Sequence, residues 1–290
     1  GAASRMFKDL FEFLDGDSNT PNNAFIEKFF ANIKKFAFYN ELDAALIDRT
    51  GKSIDQLIAE GNYKTIVDYL LSSKGLSYGK LPKGLLKFHS YEKGARTPLE
   101  EHLVEGALYA GGKTGNVNVH FTVSPEHKEL FKVLFAEKQA EYADMYNVKY
   151  SVSFSEQKAS TDTVAANPDN TPFRTEDGKI LFRPGGHGAL IENLNDLDAD
   201  IIFIKNIDNV VPDRLKPETV EYKKLIAQVE LFLSGKQTEL LKEIQNQMIK
   251  YAESEQFEKA AKMRDSYNDL LKTLERQKVV YENTKLNEDV

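Results

Sequence analysis

The feature that most constrains the fold is an interrupted helical pattern of apolar residues between residues 240 and 277. Apolar side chains recur every three or four residues, stop at residues 254–256, and then resume. This spacing predicts two amphipathic helices joined by a tight turn. A hairpin of this length does not bury both apolar stripes by itself, so we expect it to pair with a further surface. The apolar positions are Leu240, Ile244, Met248, Tyr251, Phe257, Ala260, Ala261, Tyr267, Leu271 and Leu274.

Residues on both sides of the predicted turn resemble the UVR motif, which the excinuclease subunits UvrB and UvrC share. Met248 lies nine residues before Phe257, and an alanine pair and an arginine–aspartate pair follow. The flanking residues 232–236 and 277–280 resemble the surroundings of this motif in UvrC. The residues that carry the resemblance are Met248, Phe257, Glu258, Lys259, Ala260, Ala261, Arg264 and Asp265.

The resemblance implies that residues 227–290 form an antiparallel helical hairpin that binds a UvrB-like protein in nucleotide excision repair. The alanine pair would let the two helices approach closely, while Met248 and Phe257 fill the gap at the turn. The charged pair would occupy polar edge positions. Two plainer interpretations stay open, namely an ordinary amphipathic hairpin at the end of a domain and a hairpin that mediates self-association. The implied partner-binding residues are Met248, Phe257, Ala260, Ala261, Arg264 and Asp265.

Composition limits the classes of partner. The chain has 290 residues, of which 38 are basic and 45 acidic, so its net charge is -7. An excess of acidic residues does not suit a binder of the phosphate backbone, so we expect a protein partner and no direct DNA binding. Cysteine is absent, which excludes disulfides and thiolate nucleophiles. No apolar run approaches the length of a membrane span, so the sequence predicts a cytoplasmic protein without membrane contact.

The first 226 residues carry the pattern of an α/β domain. Residues 116–123 and 148–154 alternate apolar and polar side chains, and the helical pattern of residues 125–145 separates them. This order predicts a βαβ unit. Residues 179–183 and 200–205 predict two more strands, the second buried on both faces because it is continuously apolar. The expected fold is therefore α/β with a mostly parallel sheet, preceded by short helices over residues 4–13, 21–39 and 42–71, the last with breaks at Gly51 and Gly61. Thr97 as cap and Pro98 in the first turn predict a further helix.

Four short segments of this domain have the chemistry of a nucleotide site. Residues 1–6 form a small-residue loop that opens a helix, where free N–H groups hold phosphate. Residues 82–84 present a lysine on a Pro-Lys-Gly turn, and residues 185–188 surround a histidine with glycines. Residues 206–209 follow the predicted buried strand, at the end where open α/β sheets bind ligands. Each segment also has an ordinary explanation as a turn or cap.

Taken in order, the four segments resemble the motifs of sugar-nucleotide pyrophosphorylases, which are nucleotidyltransferases. Residues 1–226 as a whole also resemble an uncharacterised bacterial family that shares these motifs. The resemblance implies an incomplete nucleotidyltransferase-like, Rossmann-like sheet that lacks its first strand. It also implies a nucleotide or sugar nucleotide as ligand, with Mg²⁺ as a possible cofactor. The implied roles are phosphate neutralisation by Arg5 and Lys83 as the catalytic residues, nucleotide binding by Gly1, Ser4, Gly186, His187 and Gly188, and metal binding by Asp208.

The two resemblances belong to unrelated pathways. We therefore expect a two-part chain, with a nucleotidyltransferase-like domain over residues 1–226 and a UVR hairpin over residues 227–290. A gene fragment or a fusion joined near residues 226 and 227 is one explanation of this combination. The sequence contains neither nuclease domain of UvrC, so no DNA incision is predicted. An alternative is that the whole chain is a non-enzymatic interaction protein.

Overall fold

The computed structural model describes residues 5–111, 114–216, 228–229, 231–232 and 234–285, with side chains up to residue 274. The chain divides into two compact units, Gly1–Lys216 and Pro217–Val290. The predicted domain boundary between residues 226 and 227 lies outside the described residues. In the part of the chain that the structure describes, no helix combines the length and the apolar character that a membrane span requires.

The first unit begins with five short helices around an apolar core. Leu42, Leu46 and Ile66 are fully buried there. The predicted interruptions at Gly51 and Gly61 are confirmed, because both glycines adopt a positive φ that ends the preceding helical segment. The helices are α1 (Lys8–Asp15), α2 (Ala24–Ala31), α3 (Tyr39–Thr50), α4 (Ile54–Ala59) and α5 (Tyr63–Leu71).

A second core forms between helices and a parallel strand pair, and it confirms the predicted βαβ unit. Strands β3 and β4 run parallel, with Asn116 opposite Lys149 and Thr122 opposite Ser155. Helix α6 starts with the capping box that Thr97 and Glu100 form, followed by Pro98 in the first turn. The elements are β1 (His89–Tyr91), β2 (Gly94–Arg96), α6 (Pro98–Tyr109), β3 (Asn116–Thr122), α7 (Lys128–Tyr146) and β4 (Lys149–Ser155).

The rest of the observed strand pairing differs from the predicted parallel sheet. Within the described ranges the strands form three two-stranded sheets, of which β3–β4 is parallel, while β1–β2 and β5 (Thr163–Val164) with β6 (Phe182–Arg183) are antiparallel. The strand predicted over residues 179–183 is therefore limited to β6. The mostly parallel, Rossmann-like sheet predicted from the sequence is not confirmed.

The prediction of a buried strand over residues 200–205 is wrong. This segment is not a strand, and its four apolar side chains are between 36% and 72% exposed. Alternate residues instead contact α6: the Phe203 ring lies 5.5 Å from the Tyr109 ring, Lys205 pairs with Glu105, and His102 donates to the Ile207 carbonyl. The segment thus packs on a helix on one side and is exposed on the other, so its apolar run does not form a buried strand.

The second unit contains the predicted helical hairpin. Its first helix spans Gln237–Glu253 and its second spans Phe257–Lys285. The turn between them includes Glu255, whose φ of 57° is left-handed, and the Gln256 N–H donates to the Tyr251 carbonyl at 2.9 Å. Leu240 and Ile244 are the buried positions of the first helix. The apolar pattern therefore predicted both helices and the turn correctly.

Candidate functional site

The tip of the hairpin exposes a large apolar side chain. Phe257 is the first residue of the second helix, and 68% of its surface is exposed. The expectation that Phe257 fills the gap at the turn is wrong, because most of its side chain is exposed to solvent. Ile249 near the end of the first helix is 46% exposed, and Lys259 lies over the Tyr251 ring at 5.6 Å. An apolar tip with a charged rim is typical of a protein-binding surface.

The other implied partner-binding residues follow the second helix away from this tip. Ala260 and Ala261 are half-buried, as is Met248 on the first helix. Arg264 and Asp265 are exposed, and Asp265 Oδ1 accepts hydrogen bonds from Arg264 Nε at 3.0 Å and Nη2 at 2.9 Å. The charged pair therefore lies in water, as expected of edge positions, and both side chains are accessible to a partner.

Two of the residues implied for the nucleotide site meet in the first unit. Lys83 Nζ donates to Asp208 Oδ2 at 2.5 Å, although the residues are 125 positions apart. The hydrogen bond from Lys83 holds the pKa of Asp208 below its ordinary value. Gly84 allows this approach, because a Cβ there would lie 2.7 Å from the Phe131 ring and 2.9 Å from Ile207. Glycine is thus favoured at this position of the Pro-Lys-Gly turn, because a larger side chain would clash with Phe131 and Ile207.

The position of Asp208 differs from the expected end of a buried strand. Asp208 lies in a turn that is closed by a hydrogen bond from the Asn209 N–H to the Asn206 carbonyl, at 2.9 Å. No group of three or more potential metal ligands occurs among the described residues. Mg²⁺ often binds one or two carboxylates and takes its other ligands from phosphates and water, so a single aspartate suits it only together with a nucleotide.

The remaining residues implied for nucleotide binding do not join this pair. His187 starts a short 3-10 turn, His187–Leu190, and its side chain is exposed, as are its neighbours Gly186 and Gly188. Across the described ranges, no hydrogen bond or ion pair links His187 to Lys83 or Asp208. Arg5 is exposed ahead of α1, and Gly1 and Ser4 lie outside the described residues.

A buried carboxylate cluster on α6 is a feature that our sequence reasoning missed. Glu100, Glu101 and Glu105 are at most 4% exposed. Glu101 accepts hydrogen bonds from Tyr91 at 2.5 Å and Lys216 at 2.5 Å, and lies 2.9 Å from His89 Nδ1. Burial, together with the hydrogen bond to Glu101, raises the pKa of Tyr91. A sequence signal existed, since Glu100, Glu101 and Glu105 lie among apolar residues of one predicted helix.

This cluster attaches the chain after residue 205 to α6. Lys205 pairs with Glu105, and Lys216 pairs with Glu101. Asp213 pairs with Arg96 at 2.8 Å, and Arg96 also stacks over the Tyr91 ring at 4.1 Å. Each of these cations thus has a carboxylate partner, which makes the cluster structural, and Glu105 Oε1 is its one buried oxygen without a hydrogen-bond partner among the described residues.

Comparison with known proteins identifies one family and one local similarity. Residues 1–290 match DUF4301, a domain of unknown function. The UvrABC system protein C of Lawsonia intracellularis is 48% identical over 60 residues, which cover 21% of this chain and 10% of that protein. The same protein of Alkaliphilus metalliredigens is 48% identical over 59 residues, or 20% and 10%, and that of Synechococcus sp. is 39% identical over 75 residues, or 26% and 12%.

These matches are short relative to the proteins concerned. The chain spans about a tenth of the length of the curated relatives it matches. No solved structure matches the chain. The family match, in contrast, extends over both compact units, including the hairpin. The chain therefore belongs to the DUF4301 family, and a part of it is similar to UvrC.

Proposed function

We propose that the C-terminal hairpin is a docking module that binds a UvrB-like protein. The observation that carries this proposal is the exposure of Phe257 at the hairpin tip, where 68% of its surface is in water. Burying a phenylalanine side chain that was exposed stabilises a complex by roughly 1.5–3 kcal/mol. An unpaired aromatic side chain at a turn is thus a natural anchor for a partner.

Two further observations support a partner of the excision-repair type. The similarity to UvrABC system protein C reaches 48% identity over 60 residues, about the length of the C-terminal segment. The exposed Arg264–Asp265 pair adds one charge of each sign near the anchor. Charges at the rim of an interface mainly give specificity and orientation, so this pair would select the partner that Phe257 holds.

Binding of the full chain to purified full-length UvrB tests the proposal. We expect Phe257→Ala to weaken binding about 30-fold, since loss of an anchor costs about 2 kcal/mol. Phe182→Ala is the matched control, because Phe182 is also an exposed phenylalanine, at 56%, but lies on β6 of the other unit. Calorimetry should show unchanged binding for this control.

A further measurement distinguishes binding of UvrB from self-association of the hairpin. Sedimentation of the chain alone should give a monomer at the concentrations used for binding. A dimer that Phe257→Ala dissociates would mean that the hairpin pairs with itself, and would contradict the UvrB proposal. Equal binding of wild type and Phe257→Ala would also contradict it.

A second candidate function is nucleotide binding at the Lys83–Asp208 pair, of the nucleotidyltransferase type. It is favoured by the short distance, 2.5 Å, between two residues that motif order alone had selected. The lysine would hold a phosphate oxygen, and Asp208 would be available to Mg²⁺ once phosphate competes for the ammonium. His187 would reach the same ligand only if its exposed turn contacts the base or sugar.

Titration of the full chain with a nucleoside triphosphate or a sugar nucleotide, with and without Mg²⁺, tests this second function. We expect Lys83→Ala to weaken binding at least tenfold, because hydrogen bonds to charged groups contribute about 1.5–3 kcal/mol. Lys80→Ala, an exposed lysine three positions earlier, is the control and should bind like the wild type. Absence of binding at millimolar ligand, or equal affinity of Lys83→Ala, would contradict nucleotide binding.

A further inference from the structure

We propose that Ser155 is a nucleophile activated by His120, in a site at the carboxyl ends of β3 and β4 that accepts the acyl group of a carboxylic ester. The site is separate from both functions proposed above. It rests on a continuous set of hydrogen bonds between side chains that two parallel strands and helix α8 (Ile191–Asn195) bring together.

Strand register places the reacting groups side by side. His120 lies opposite Ser153, and Thr122 lies opposite Ser155. The His120 ring bridges the two serines, with Nδ1 at 2.7 Å from Ser153 Oγ and Nε2 at 2.8 Å from Ser155 Oγ. A serine on one imidazole nitrogen and an orienting group on the other is the arrangement that nucleophilic catalysis requires.

Asn193 occupies one acceptor position of Ser155 Oγ. Its Nδ2 donates to the Glu156 carbonyl at 2.7 Å and to Ser155 Oγ at 3.0 Å, so Ser155 Oγ is an acceptor for the amide. Ser155 Oγ also lies 3.1 Å from Thr122 Oγ1. In the reactive arrangement, the Ser155 proton is directed to His120 Nε2, while His120 Nδ1 carries the ring proton and donates to Ser153. Burial lowers the pKa of His120, which keeps the ring neutral and able to accept that proton at neutral pH.

One side of the site is exposed to solvent, and the other side has a buried hydrogen-bond acceptor without a donor. Ser153 and Ser151 are exposed on the polar face of β4, so an ester reaches Ser155 over this face. Asn193 is 4% exposed, and its Oδ1 accepts no hydrogen bond from any described residue. A buried acceptor without a donor suits a ligand that carries an N–H or O–H group beside the ester.

The reaction balances with these groups alone. Ser155 Oγ attacks the ester carbon while its proton moves to His120 Nε2, and the negative charge moves to the carbonyl oxygen of the ester. The bond from carbon to the alcohol oxygen then breaks, and the alcohol leaves with the proton from His120. Water repeats the sequence on the acyl-serine, releasing the carboxylic acid and restoring Ser155.

Acetylation of the full chain by p-nitrophenyl acetate, followed by peptide mass spectrometry, tests the proposal. We expect the acetyl group on Ser155 and none after Ser155→Ala. His120→Gln should slow acetylation about 100-fold or more, the contribution typical of a general base, with unchanged circular dichroism. His120→Asn is the second variant in case the glutamine side chain disturbs folding.

Ser151→Ala is the matched control, since Ser151 lies on the same exposed face of β4 and should not affect the rate. Acetylation of Ser151 at the same rate as Ser155, a folded His120 variant that reacts like the wild type, or no modification of Ser155 at all would each overturn the proposal.

Discussion

Replacing Glu101 with glutamine is expected to lower the free energy of unfolding of the Gly1–Lys216 unit by about 3–5 kcal/mol. Glu101 is fully buried, pairs with Lys216 and Arg96, and lies 2.9 Å from His89 Nδ1. Glutamine keeps the size of the side chain but removes the charge, so Asp213 alone is left to compensate Lys216 and Arg96. An uncompensated buried cation costs more than the lost hydrogen bonds alone.

Urea unfolding followed by circular dichroism measures this loss, with Glu141→Gln as the control. Glu141 pairs with Lys138 at 3.0 Å on α7, but its side chain is 51% exposed. Exposed pairs of this kind contribute about 1 kcal/mol or less. If Glu101→Gln lowers the free energy of unfolding by only about 1 kcal/mol or less, as an exposed pair does, the buried charges are not coupled as described.

Replacing Phe121 with alanine is expected to destabilise the same unit by about 3–5 kcal/mol, the usual cost of removing a buried phenylalanine. Phe121 is 7% exposed and joins three elements to β3. Its ring centroid lies 5.9 Å from that of Phe154, 6.2 Å from Phe131 and 6.3 Å from His102. Alanine would leave a cavity that these neighbours fill only in part.

The matched control is again Phe182→Ala, because Phe182 is also on a strand but is 56% exposed. Surface substitutions of this type change stability by about 0.5 kcal/mol or less. The midpoint of thermal or urea unfolding distinguishes the two variants. Equal effects at both positions would mean that the β3–α7–β4 core does not carry the stability of the unit.

Local patterns predicted those parts of the fold whose partners are close in sequence. The capping box of Thr97 and Glu100 defines the start of α6, and the pause at residues 254–256 locates the hairpin turn. Alternation over residues 116–123 and 148–154 predicted a parallel pair, because a single helix connects them. In each case the deciding hydrogen bonds or apolar contacts involve a short stretch of chain.

Residues 200–205 illustrate why the same method failed elsewhere. A short, continuous apolar run predicts contact with other elements, but it does not show whether strands or a helix make that contact. Here α6 covers one side, through Tyr109, Glu105 and His102. The strand pairs that a Rossmann-like sheet would need are not formed by this segment, so Asp208 follows a helix-packed segment rather than a strand.

In the candidate sites, too, the sequence predicted some features and long-range contacts decided others. The motifs selected Lys83, Asp208 and Phe257 by residue type and order, but their environments depend on long-range contacts. Motif order did not predict that Lys83 pairs directly with Asp208, nor that Phe257 points into solvent. The sequence did not predict that His120 meets Ser155, since they are 35 positions apart and only strand register makes them neighbours.

The sequence by itself therefore determined the hairpin, the capped helix α6 and the parallel pair β3–β4, because helix caps, turns and short crossovers depend on residues near one another. The tertiary structure decided which charged and polar groups meet: Glu101 with Lys216, Lys83 with Asp208, and His120 with Ser155. The physical reason is that these contacts join distant parts of the chain, so packing of helices and strands sets their distances and local preference does not.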